Sequence, residues 1–288
     1  MMNLYQRYST SPSYPDVKEL ELNQDFKNKL GWASSAGTMH ESGWVNRFIF
    51  NTETPIYPQG QSGGSWSKAD ADLSSTVVIS MSASGKTARA CTDCLLHERK
   101  AGTGPLAFMA VTSSTDANLV PQDMTTPTKV VQYFSLTSST TTSWLGSLAA
   151  SRIVVLDFAS RGNSLNELLS LLNTSFPGVE TTVLGIGAEA KAHSPTELAE
   201  IAKQRAVMSE RVQMNMSGIR DTALEVIGAE AYFRERDAAW EAFVERGGLS
   251  AMRLEWLEGI SGDQGLEGAW RKLCEQKVGP DACMAVKV

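Results

Sequence analysis

The sequence predicts an α+β chain: a mixed β-sheet with at least one βαβ unit, followed by a helical C-terminal region. Three observations carry this. Arg152-Ile-Val-Val-Leu156 and Val179–Ile186 are apolar runs rich in β-branched residues, and Leu165, Leu168, Leu169 and Leu172 recur between them at helical spacing. Further short apolar runs lie at Thr76–Ile79, Leu106–Val111 and Lys129–Phe134, as suits strands covered on both faces. Beyond about residue 188 the pattern turns helical, with start and stop signals at both ends of long amphipathic stretches.

Taken in order, residues 1–70 read as an irregular N-terminal region, broken by Pro12, Pro15, Pro55, Pro58 and the Gly60–Gly64 cluster. Trp44–Phe50 reads there as a short strand. Residues 71–187 form the α/β core. In its clearest unit, Ser164 and Glu167 make a capping box, the leucine stripe makes the helix, and Pro177-Gly178 turns the chain back. A Ser/Thr run, Thr137–Ser143, separates two of the strands.

Residues 188–288 form a helical C-terminal region packed on the core. Ser194 and Glu197 make a second capping box with Pro195 at the first helical position. Leu198, Ile201, Ala202, Met208 and Val212 form an apolar stripe. A long helix runs from about 219 to Arg246 and stops at Gly247-Gly248. Short helices surround Trp256 and Trp270, and Trp240, Phe243, Trp256 and Trp270 are expected to seal the contact with the sheet.

Whole-chain properties narrow the function classes. A net charge of −6 without any Lys/Arg-rich run disfavours a polyanion binder, so a protein partner ranks above nucleic acid. No run of about eighteen apolar residues occurs, so no membrane span is expected, and the N-terminus lacks a secretory h-region. The expected address is cytoplasmic or nuclear, where the four cysteines stay reduced.

Two sites are worth weighing. Ser84-Gly85-Lys86-Thr87 follows a strand and precedes a helix at Ala88–Lys100, as in a phosphate-binding loop, with Asp157 placed to hold magnesium. Ser80 stands where that loop needs its first glycine, which makes the alternative a divergent P-loop-like nucleotide-binding protein using Gly85, Lys86, Thr87 and Asp157. Cys91, Cys94 and His97, at i, i+3 and i+6, are candidate zinc ligands, although a structural site needs a fourth. The plain reading of the same helix has Ala88, Cys91 and Leu95 facing the core. A deaminase reading fails because His40-Glu41 lacks the intervening residue. Gly60-Gln-Ser62-Gly-Gly64 spells a nucleophile elbow but has prolines where the strand should be.

The run Ala90-Cys91-Thr-Asp-Cys94, then Gly102-Thr-Gly104-Pro105-Leu-Ala-Phe108-Met109-Ala-Val111, resembles a segment of uncharacterised filamentous-fungal proteins. Those carry an A-C-x-x-C pair, G-x-G-P-F and a third cysteine before valines. Here Met109 replaces that cysteine and Leu106 the phenylalanine. The resemblance covers about twenty residues and implies a fungal, intracellular, regulatory lineage. With every catalytic motif missing a part, the first expectation is a non-enzymatic interaction or regulatory protein with no cofactor; zinc or Mg-nucleotide are the alternatives. A second alternative is a self-assembling structural or coat-like protein, suggested by the Ser/Thr-rich region.

Overall fold

The computed structural model describes residues 23–60, 66–113, 119–120, 125–187, 193–206 and 211–286. The Gly60–Gly64 motif lies largely outside them. Ahead of the sheet come α1 (Gln24–Ser35), α2 (Gly37–Trp44), α3 (Asn46–Ile49) and α4 (Lys68–Ala71). The core then runs β1 (Thr76–Met81), α5 (Lys86–His97), β2 (Ala107–Thr112), β3 (Thr128–Gln132), α6 (Ser139–Ser147), β4 (Arg152–Asp157), α7 (Ser164–Ser175) and β5 (Glu180–Gly185). After it follow α8 (Pro195–Ala206), β6 (Arg211–Gln213), α9 (Met216–Ile227), α10 (Ala229–Glu245), β7 (Arg253–Leu257), α11 (Leu266–Cys274) and β8 (Ala282–Val286).

The α+β class holds, and the sheet within it is more regular than a mixed one. Six strands lie in the order β3-β2-β1-β4-β5-β6, and every described pairing is parallel. A parallel sheet needs apolar cover on both faces. Val78, Phe108, Val154, Leu156 and Leu184 point to one face, where α5 and the N-terminal helices add Cys91, Leu95, Trp44, Phe48 and Ile49. Val77, Ile79, Met109, Ile153, Val155 and Val183 point to the other, against Leu145 of α6 and Leu165, Leu168, Leu169 and Leu172 of α7. The leucine stripe thus does what its spacing predicts.

Several expectations need correction. Trp44–Phe50 is helical and sits in the core beside α5, because Trp44, Phe48 and Ile49 bury one helical face there. The box at the start of α7 does not form: Asn163 is the N-cap without a side-chain bond, and Ser164 instead donates to the Arg161 carbonyl at 2.8 Å. The box at α8 does form, with Ser194 N–H donating to Glu197 at 2.7 Å and Glu197 N–H to Ser194 at 3.2 Å. The stripe expected across Leu198–Val212 does not hold as one helical face: Leu198 of α8 is 54% exposed, Val212 lies on β6 and packs on the core, and Met208 lies outside the described residues. The long helix is two, α9 and α10, split at Gly228 with φ +81°. Its stop is as expected, with the Gly247 and Gly248 N–H groups donating to Val244 and Phe243. Trp256 lies on a strand, β7, not a helix. Trp270 is on α11 but 66% exposed, so it seals nothing.

Beyond the sheet, α10 packs on α2. His40 is buried between the rings of Trp240 and Phe243, with centroids 5.4 and 5.0 Å away. Burial, partly opposed by Asp93 and aided by Arg246 and Arg236, pushes its pKa down to about 4. The folded protein therefore keeps this imidazole neutral where the unfolded chain would take up a proton. Stability conferred this way is complete above the ordinary histidine value, and is lost as pH falls from there to about 4. Urea unfolding across that window should show a loss of about 3 kcal/mol that His40→Leu lacks. A wild-type profile as flat as the variant's would refute it.

Candidate functional site

The carboxyl edge of the sheet gathers the residues of interest. β1 ends at Met81, two strand positions further than the phosphate-loop reading allows, and α5 already begins at Lys86. Only Ser82-Ala83-Ser84-Gly85 remain as a turn. That is too short to wrap a phosphate as a P-loop does, and it places the helix N-terminus directly above the strand end.

This turn is held from three sides. Ser82 adopts φ +55°, a left-handed conformation uncommon for a residue with a Cβ. Its N–H donates to the Tyr133 hydroxyl at 3.0 Å, the two hydroxyls bond at 2.8 Å, and Ser82 Oγ donates to the Ala159 carbonyl at 2.7 Å. Tyr133, directly after β3, therefore braces the turn after β1, which in turn braces the segment after β4. Ala83 N–H reaches the Val111 carbonyl of β2 at 2.9 Å, and Arg89 Nε donates to the Ser84 carbonyl at 3.1 Å.

Gly85 is the N-cap of α5, with φ −68° and ψ 151°, a conformation open to any L-residue. Having no side chain, it makes no cap. The N–H groups of Lys86, Thr87 and Ala88 have no hydrogen-bond partner among the described residues. Such a helix start concentrates positive potential and donor groups. Thr87 makes only a long contact with Met39 Sδ, at 3.5 Å. Lys86 turns aside: its Nζ donates to the carbonyls of Ala282 at 2.7 Å and Pro280 at 3.4 Å.

Across the edge, Asp157 ends β4 opposite Met81. Its carboxylate is already engaged. Oδ1 accepts from Ser160 N–H and Oγ at 2.8 and 2.7 Å, and Oδ2 accepts from Arg211 Nη1 at 2.8 Å, within a pair almost wholly buried. Burial alone would raise its pKa, but the Ser160 and Arg211 hydrogen bonds hold it below the usual carboxylate range. Gly185 ends β5 beside the pair, and a Cβ there would overlap the Arg211 guanidinium. Gln213 Nε2 donates to the Gly185 carbonyl at 2.7 Å, so the carboxyl ends of β4, β5 and β6 are tied together.

The structure thus brings Gly85, Lys86, Thr87 and Asp157 to one edge, across the β1–β4 boundary. It does not gather Cys91, Cys94 and His97 in the same way. Both thiols face the core, Cys94 donating to the Trp44 carbonyl at 3.6 Å, and burial pushes both thiol pKa values up. His97 Nδ1 instead meets Asp93 at 2.9 Å. Among the described residues no three His, Cys, Asp or Glu side chains form a group that could hold a metal.

Ser82, Tyr133 and Arg211 were missed by sequence reasoning. Nothing in a Ser/Thr-rich sequence marks one serine as left-handed, and a three-residue strand shows no periodicity. Among the described residues no helix is long and apolar enough to cross a membrane. No curated protein and no solved structure matches the chain. One family model does, over residues 1–279, and the chain therefore belongs to the family described as Protein of unknown function (DUF2855).

Proposed function

We propose that this chain binds a dinucleotide of the nicotinamide type, with the pyrophosphate at the N-terminus of α5. One observation carries the reading: the all-parallel strand order 3-2-1-4-5-6. In that order the chain leaves β1 toward one side for β2 and β3, then returns to start β4 on the other. In sheets of this order the connections diverge and dinucleotides bind in the crevice between them, a position that here corresponds to the carboxyl ends of β1 and β4. The turn after β1 fits the role by position. Ser82 takes the left-handed conformation that the first fingerprint glycine usually supplies, and Ser84 and Thr87 occupy the second and third places.

This reading refines the nucleotide-binding alternative and departs from the P-loop version of it. Asp157 becomes a structural partner of Arg211 instead of a magnesium ligand. The interaction-protein expectation rested on missing motifs, whereas the strand order is a positive feature. Specificity at the ribose is open to trial, because β2 ends in Thr112-Ser113 without a carboxylate to select a 2′-hydroxyl.

Gly85→Asp tests the assignment at a backbone conformation any L-residue can adopt, its Cβ standing 3.3 Å from the Ser82 carbonyl oxygen. An N-cap aspartate would accept from the Thr87 or Ala88 N–H, stabilising α5 while occupying the donors a phosphate needs. NADPH and NADH, titrated separately, should raise the melting temperature of the wild type, by an amount equal to about 2.7 kcal/mol at one hundred times Kd. Gly85→Asp should melt at or above the wild-type temperature yet bind at least about tenfold more weakly, since one lost charge-assisted phosphate contact is worth that much. No shift with either dinucleotide at millimolar concentration would overturn the proposal.

A further inference from the structure

The C-terminal unit, β7–α11–β8, meets the start of α5 through Lys86. Elsewhere it is fastened to α1: Leu254 and Trp256 close on Gly31, Lys27 lies 4.6 Å above the Trp256 ring, and β8 packs along the same helix. Its sheet has two parallel strands, too few for much independent stability. Lys86, the first residue of α5, drives its ammonium into the main-chain carbonyls of Pro280 and Ala282 at the start of β8. Asp281 and Cys283 flank that contact, with Asp281 committed to Arg253 Nε at 2.8 Å.

We infer that the C-terminal unit is a strap latched by Lys86, and that filling the crevice with a dinucleotide releases it. The inference rests on the dinucleotide reading. Two neutral carbonyls accept from the ammonium now, with the Asp281 carboxylate close enough to act on it but bonded to Arg253. A pyrophosphate on the first-turn N–H groups of α5 would bring negative charge within reach of the same flexible stem. An ammonium already makes a charge-assisted bond to a carbonyl, and a phosphate adds its own negative charge to that attraction. Lys86 swings to the ligand, the carbonyls of Pro280 and Ala282 lose their donor, and β8 loosens from β7. Coupling of this kind is reciprocal: whatever binding takes from the strap, the docked strap takes from binding.

Hydrogen–deuterium exchange on the full chain, with and without saturating NADPH, reads the latch directly. In the wild type, amides of residues 281–286 should exchange several-fold faster with NADPH than without it. In Lys86→Met they should already exchange at the faster rate, and NADPH should add nothing. If calorimetry shows NADPH bound while exchange at 281–286 stays unchanged, the strap is overturned and the dinucleotide reading stands. If NADPH does not bind at all, both fall. Faster exchange across the whole chain of Lys86→Met would also overturn the latch, since that reports lost global stability and not local release.

Discussion

Replacing Arg211 by alanine will lower the unfolding free energy at neutral pH by about 3–5 kcal/mol. The arginine and Asp157 are both nearly inaccessible, and their contact at 2.8 Å links β4 to β6 across β5. Removing the cation leaves a buried carboxylate with only Ser160 for company. The pH dependence follows from the depressed Asp157 value. A carboxylate held below its unfolded pKa contributes stability that is complete above the unfolded value, about 3.9, and is lost as pH falls through the folded one. The difference between wild type and Arg211→Ala should therefore shrink as pH falls, because Asp157, buried without its cation, becomes neutral in the variant before it does in the wild type. Exchanging both partners, Asp157→Asn with Arg211→Gln, should recover most of the loss, because no buried charge is stranded. Chemical denaturation of the three proteins at pH 7 and pH 4 decides it, and a single-variant loss below about 1 kcal/mol would show that the pair does not organise this edge.

How far the sequence reveals this edge depends on the range of the forces involved. The strand runs at Thr76, Ile153 and Val183 and the leucine face of α7 are legible because burial on both sheet faces imposes a local pattern. Residues of the turn after β1 are legible as a group, since a short polar string between strand and helix has few places to go. The strand order is not. It depends on where β4 returns relative to β1, a contact spanning some seventy residues that no local pattern records. For the same reason Arg211 looks like any arginine in a charged stretch, yet it reaches Asp157 from a strand of three residues. Trp44–Phe50 and Trp256 were each misread because a short apolar run fits helix and strand alike, and only the partner surface settles the matter.

Trp44→Ala should cost about 3–5 kcal/mol, as truncation of a buried tryptophan does. The residue is wholly inaccessible. Its ring meets Phe48 and Tyr232 edge-on at 5.4 and 5.2 Å, and the Arg47 guanidinium lies 5.2 Å over it. The cavity would open beneath α5, where α2 approaches so closely that a Cβ on Gly43 would stand 2.5 Å from the Cys91 nitrogen and 2.7 Å from the Thr87 carbonyl. Such contact means that α2 fixes the height of α5 above the sheet, and with it the N–H groups at its start. Two consequences separate this from an ordinary core deletion. Dinucleotide affinity should fall with stability, although Trp44 belongs to a different part of the chain from the turn. Trp44→Phe, which keeps an aromatic ring against Tyr232, should restore binding more completely than it restores stability. Parallel denaturation and calorimetry on both variants provide the check. If Trp44→Ala still folds and binds NADPH as the wild type does, the N-terminal helices do not position the proposed phosphate site.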